Sequence, residues 1–111
     1  MAHVHKGLEH RWGERVRVDI PVRVLAAGRD AAHCHIKNLS LSGALVKSDH
    51  DLVLPLLIDV YIERPFQSAL ACVVKARVSR KVTHGVGIEW CDFSPPIVKD
   101  LLRSPMMRFP L

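Results

Sequence analysis

Aromatic residues are scarce in this chain of 111 residues: Phe, Trp and Tyr together make up 5%. A platform for single-stranded nucleic acid stacks bases on repeated aromatic faces, and here Tyr61 alone falls on an outward strand position. The cations are scattered along the chain instead of forming a stripe. No nucleic-acid partner is therefore expected. No apolar run reaches the length of a membrane-spanning helix, so no membrane insertion is expected. The first residues, Met1-Ala2-His3-Val4-His5-Lys6, lack the apolar stretch of a signal peptide, and a cytoplasmic location is the expectation. Cysteines number only three, Cys34, Cys72 and Cys91. An odd number in apolar or alternating segments points to buried reduced thiols, not to a disulfide framework.

The signatures of chemistry are missing as well. There is no Gly-x-Ser-x-Gly, no phosphate loop, no His-Glu-x-x-His and no acidic cluster, so the chain is not expected to be an enzyme. His33-Cys34-His35 has the residue types of a metal site but not the geometry. On a strand the two histidines share one face and the cysteine points to the other. No metal and no cofactor are expected.

What is present describes an ordinary folded domain. Apolar residues reach 49% and charged residues 24%, and the length suits one domain with one modest core. The formal net charge is +5, which favours an anionic partner without choosing it. Residues 1–14 are polar and His-rich with no period, and they read as a mobile N-terminal segment; residues 15–111 read as a single domain.

From Val16 to Val24 apolar residues alternate with Arg17, Asp19 and Arg23, the pattern of a half-buried strand. Pro21 falls on the outward face, where an edge or a bulge tolerates it. Gly28-Arg29-Asp30 is turn material. Further strands are read over Ala32–Leu39, Gly43–Val46, Leu56–Glu63, Ser68–Val78 and Val82–Cys91, with Arg64-Pro65 and Ser79-Arg80-Lys81 as breaks. Six strands at roughly ten-residue spacing imply an all-β antiparallel barrel or sandwich. After Phe93 the period becomes helical. Ser94 is an N-cap candidate, Pro95-Pro96 suit a first turn, and Ile97, Val98, Leu101 and Leu102 share a face until Pro105.

Two short motifs remain. Arg11-Trp12-Gly13-Glu14-Arg15 places two arginines four positions apart. A guanidinium is a planar, permanently charged fork. It binds phosphate through two parallel hydrogen bonds, pairs with O6 and N7 of guanine, and stacks on flat bases. Asn38-Leu39-Ser40-Leu41-Ser42-Gly43 begins twenty-three positions after Arg15, between two strands. Asn and Ser side chains bond nearby backbone in turns, and Gly43 permits a close backbone approach. Such a turn presents an amide, a hydroxyl and N–H groups to a ligand; without a ligand it is simply a turn.

Taken together, the arginine pair, the strand with Ile20-Pro21-Val22 near its middle, and Asn38-x-Ser40-x-x-Gly43 with an apolar triplet resemble the PilZ domains, bacterial receptors for cyclic di-GMP. Gly85-Val86-Gly87-Ile88-Glu89-Trp90 resembles a strand near the end of these domains. The resemblance covers about residues 10–104. It implies a six-stranded antiparallel β-barrel with a short C-terminal helix. It also implies second-messenger signalling through cyclic di-GMP, relayed to an unidentified downstream protein. By position, Arg11 and Arg15 would contact phosphate and guanine, and Asn38, Ser40 and Gly43 would hold the other side. His10, Lys47 and Trp90 are weaker ligand candidates. His10 stands where many members carry a further arginine, and Ser42 where a second glycine is frequent. The alternative is a PilZ-like protein-interaction adaptor that binds no nucleotide.

Overall fold

The computed structural model describes residues 15–27, 29–63, 71–93 and 95–103. Residues 1–14, with His10 and Arg11, lie outside the described residues, as do Gly28, Arg64, Pro65, Ser68, Ser94 and Pro105.

The alternating segments become strands β1 (Val16–Ala26), β2 (Arg29–Leu39), β3 (Gly43–Lys47), β4 (Leu57–Glu63), β5 (Ala71–Val82) and β6 (Gly85–Trp90), followed by helix α1 (Pro96–Arg103). All neighbouring pairs are antiparallel, and the order β1-β2-β3-β6-β5-β4 closes on itself as a barrel. Closure removes the free edges that an open sheet would expose.

The inward positions are mostly β-branched. Ile20, Val24, Ile36, Val46, Val60 and Ile62 are completely covered. Each buried aliphatic side chain of this size stabilises the fold by about 1.5–3 kcal/mol relative to exposure. Helix α1 adds Ile97, Val98 and Leu101 to the same core. Pro96 opens it at the first helical position, where a missing N–H costs nothing. The carbonyl of Pro95 accepts from Val98 and Lys99 at 3.0 and 3.1 Å. The helix thus starts one residue later than the Ser94 cap implied.

Two bulges decide where side chains near the start of β1 point. Arg17 pairs with Asn38 and Ile20 with Ile36, so Val18 and Asp19 together face Lys37. Between β2 and β3 the register slips at the same place: Ile36 pairs with Val46, and Asn38 with Leu45. Strict alternation from Cys34 and Ile36 would aim Asn38 inward. The bulge at Lys37 instead lets Leu39 fill the core and leaves Asn38 half-exposed. Pro21 is exposed, as its position implied, and β4 pairs with β1 only from Val22 onward. The proline's missing donor therefore interrupts no ladder on that flank.

Three expectations need correction. Ser79-Arg80-Lys81 is not a turn: β5 continues to Val82, past a register shift between Val78 and Arg80. The reversal occurs at Thr83-His84, where His84 takes a left-handed φ of 55° and Val82 pairs with Gly85. Likewise Arg29 and Asp30 are strand residues, paired with Ala26 and Leu25, because Ala27 turns the chain with φ 54°. Finally, only Cys34 has the expected burial among the thiols whose side chains are described. Desolvation pushes it up to about 11. Cys91 is exposed, because it follows the last inward residue of β6.

Candidate functional site

The pairing of β1 with β2 fixes what meets at one end of the barrel. Val16 lies opposite Leu39, so Arg15 and Ser40 are the residues just beyond that pair. Arg15 is exposed, and so is Arg17 two positions on, beside Asn38 in register. Neither arginine has an acidic partner among the described residues. Arg17 was not among the sequence candidates. Its signal was the strand period, since residues i and i+2 share a face.

Several other basic side chains on the barrel surface are already engaged. Lys37 and His35 both bind Asp19, at 3.2 and 2.6 Å. Partial burial alone would raise the Asp19 carboxyl, but these two hydrogen bonds and their charges outweigh it and hold it below its ordinary value. Lys75 pairs with Asp59 at 3.3 Å, and Arg77 pairs with Glu89. Arg23 lies 4.9 Å from the ring centroid of Tyr61, in cation–π contact.

The turn from Ser40 to Gly43 is built inward. Ser40 is 1% exposed. Its Oγ accepts from the backbone N–H of Ser42 at 3.3 Å and of Gly43 at 3.2 Å, and lies 3.3 Å from the Gly43 carbonyl, to which it donates. The Ser40 N–H donates to that same carbonyl at 2.9 Å. Trp90 closes the arrangement from β6: its Nε1–H donates to the Ser40 carbonyl at 3.2 Å, and its backbone N–H to the Ser42 carbonyl at 3.0 Å. Gly43 is needed for clearance. A Cβ there would stand 2.0 Å from the backbone carbonyl oxygen of Ile88.

The sequence candidates therefore separate by position. Arg15 and Asn38 share one end of the barrel and offer polar groups to solvent. Ser40 and Gly43 are at the same end, but their atoms serve the turn and the β3–β6 contact. Trp90 is 7% exposed, with its ring in the core cluster and its N–H on Ser40. Lys47 is not brought to this end. It closes β3 at the far side, and its Nζ donates to the Thr83 carbonyl at 2.7 Å.

Beside the turn lies an open cleft of about 290 Å³. Leu41 and Ser42 form one wall, and Glu89, Cys91, Asp92 and Phe93 contribute from the end of β6 and the segment after it. Phe93 is 82% exposed, an outward aromatic that the strand pattern did not reveal because it follows the last strand.

A small closed antiparallel barrel, with a basic strand entry beside a serine-anchored turn, has the form of a ligand-binding or adaptor domain. The chain belongs to the PilZ domain family, whose family model matches residues 9–104. PilZ domains are binding and adaptor domains rather than enzymes, and the family is in general one of cyclic di-GMP receptors, although some members do not bind it. No curated protein matches the chain. Among the described residues, no helix is long and apolar enough to cross a membrane.

Proposed function

We propose that this chain is a bacterial cyclic di-GMP receptor without catalytic activity, acting on a downstream protein. The observation that carries the reading is the shared barrel end: Arg15, exposed and with no acidic partner among the described residues, and half-exposed Asn38 flank the turn that ends at Gly43. Arg15 supplies a charge-assisted fork for a phosphate or a guanine edge. Arg11 supplies the second cation. Asn38 offers an amide on the outer surface, and Ser40 and Gly43 act mainly by holding the turn in shape. Ligand engaged at both the N-terminal arginines and the turn would alter the surface shown to a partner, by as much as its affinities for the two states differ. Isothermal titration with cyclic di-GMP tests the reading. Absence of binding at ~100 µM ligand, where micromolar affinity would register, refutes it.

One observation favours the second reading, a PilZ adaptor that binds no nucleotide. The buried hydroxyl of Ser40 and the clearance at Gly43 are requirements of the fold itself. They would persist in a domain that had lost its ligand. An adaptor retains its protein partner when Arg11 and Arg15 are neutralised; a receptor loses ligand-dependent binding.

A further inference from the structure

The cleft beside the turn is not accounted for by the two motifs. Its volume of about 290 Å³ lies just under the ~300–1,000 Å³ range of small-molecule pockets, which suits one planar base better than a whole dinucleotide. Leu41 and Phe93 line it with apolar surface, and Phe93 shows most of its ring to solvent. An exposed phenyl beside an open slot is a stacking face. Two carboxylates also line the cleft. Glu89 is held by Arg77. Asp92 is exposed and has no cationic partner among the described residues. A carboxylate accepts only. Guanine presents two neighbouring donors on its Watson–Crick edge, N1–H and the exocyclic amine. Adenine presents an acceptor at N1 and so meets a carboxylate badly.

We infer that this cleft is a guanine subsite, with Phe93 stacking on the base and Asp92 accepting from its N1–H and 2-amino group. The inference rests on the receptor reading and names how the base, rather than the phosphates, is recognised. Leu41 and Ser42 belong to the cleft and to the turn anchored by Ser40, so the subsite is continuous with the end of the barrel that carries Arg15.

Titration of the full chain with cyclic di-GMP, cyclic di-IMP and cyclic di-AMP tests it. Cyclic di-IMP keeps N1–H but lacks the 2-amino group. The wild-type chain is expected to bind cyclic di-GMP roughly tenfold more tightly than cyclic di-IMP, the scale of a paired base-edge contact, and cyclic di-AMP weakest of all. Asp92→Ala is expected to erase the preference for the 2-amino group. Phe93→Ala is expected to weaken cyclic di-GMP and cyclic di-IMP alike, and Phe93→Trp to restore both. Both positions are exposed, so the variants should fold, and an unchanged thermal midpoint checks this. Wild-type binding of cyclic di-GMP with affinity and base preference unchanged in both alanine variants would overturn the guanine subsite and leave the receptor reading standing. No binding of cyclic di-GMP by the wild-type chain would overturn both.

Discussion

Replacing Ser40 by alanine separates a turn anchor from a ligand contact. The hydroxyl is 1% exposed and accepts from two backbone N–H groups. The Ser42 N–H is only partly buried, so water can replace the lost acceptor at small cost. The Gly43 N–H is buried, and an unsatisfied buried donor costs about 1–3 kcal/mol. The Gly43 carbonyl keeps its bond from the Ser40 N–H at 2.9 Å and loses little. The net expectation is a loss of about 1–3 kcal/mol. For a domain of this size that is a fall of roughly 4–8 °C in melting temperature per kcal/mol. Chemical denaturation of Ser40→Ala beside Arg15→Ala measures it. Arg15 is exposed and has no acidic partner among the described residues, so its loss should leave stability within about 0.5 kcal/mol of wild type. The reasoning fails if Ser40→Ala is as stable as wild type. It fails most clearly if that stable variant has also lost cyclic di-GMP, since the hydroxyl would then be a ligand contact and not an anchor.

Further expectations follow from the same geometry. Gly43→Ala forces a Cβ onto the Ile88 carbonyl, and β3 must move away from β6; a loss of about 1–3 kcal/mol and faster amide exchange in both strands are expected. Arg15→Ala should weaken cyclic di-GMP by about 1.5–3 kcal/mol, the scale of a hydrogen bond to a charged group, and unchanged affinity in titration would remove Arg15 from the site. Lys47→Ala should leave that affinity unaltered, because β3 carries Lys47 roughly 13 Å from Gly43 at strand rise. The Asp19 carboxyl is held below its unfolded value, so it adds stability above the ordinary carboxylate range and loses it as pH falls through the depressed value. Asp19→Asn should flatten the acid side of the stability profile; an identical profile would show that the His35 and Lys37 contacts carry no linkage.

The fold was legible because its dominant signal is period two. Val16 to Val24, Cys34 to Ile36 and Ile58 to Ile62 alternate cleanly, and each lies in a strand with those residues inward. The ends of strands were less so, for local reasons. Ser79, Arg80 and Lys81 are polar and look like a turn, yet they cover the outside of a coiled strand past a bulge. Ala27 and His84 reverse the chain in a left-handed conformation that alanine does not advertise and histidine, though enriched there, signals only weakly. The site was legible in its components but not in its division of labour. Nothing in Asn-x-Ser-x-x-Gly says which residue is buried. The missing clue was the spacing of three from Ile36 to Leu39, which breaks the strand period and marks the bulge that turns Asn38 outward. Arg17 was visible by the same periodic reasoning, while Asp92 and Phe93 lie beyond the last strand, where no period applies.

That division of labour changes what the motif can be asked to prove. Ser40 ties its hydroxyl to the turn, Trp90 spans from β6 to hold the Ser40 carbonyl, and Gly43 gives β3 the clearance to reach Ile88. These three residues would be required of this barrel whether or not a nucleotide ever touched it. The exposed groups carry no such obligation. Arg15, Arg17 and Asp92 can each be altered with little expected cost to folding, so each reports on binding alone. A variant that damages Ser40 or Gly43 lowers affinity by dismantling the surface, and its loss of binding says little about contact. Discrimination between receptor and adaptor therefore rests on the exposed set. If the wild-type chain shows no response to cyclic di-GMP and those positions can be neutralised together without losing the protein partner, the turn is architecture and the partner is protein.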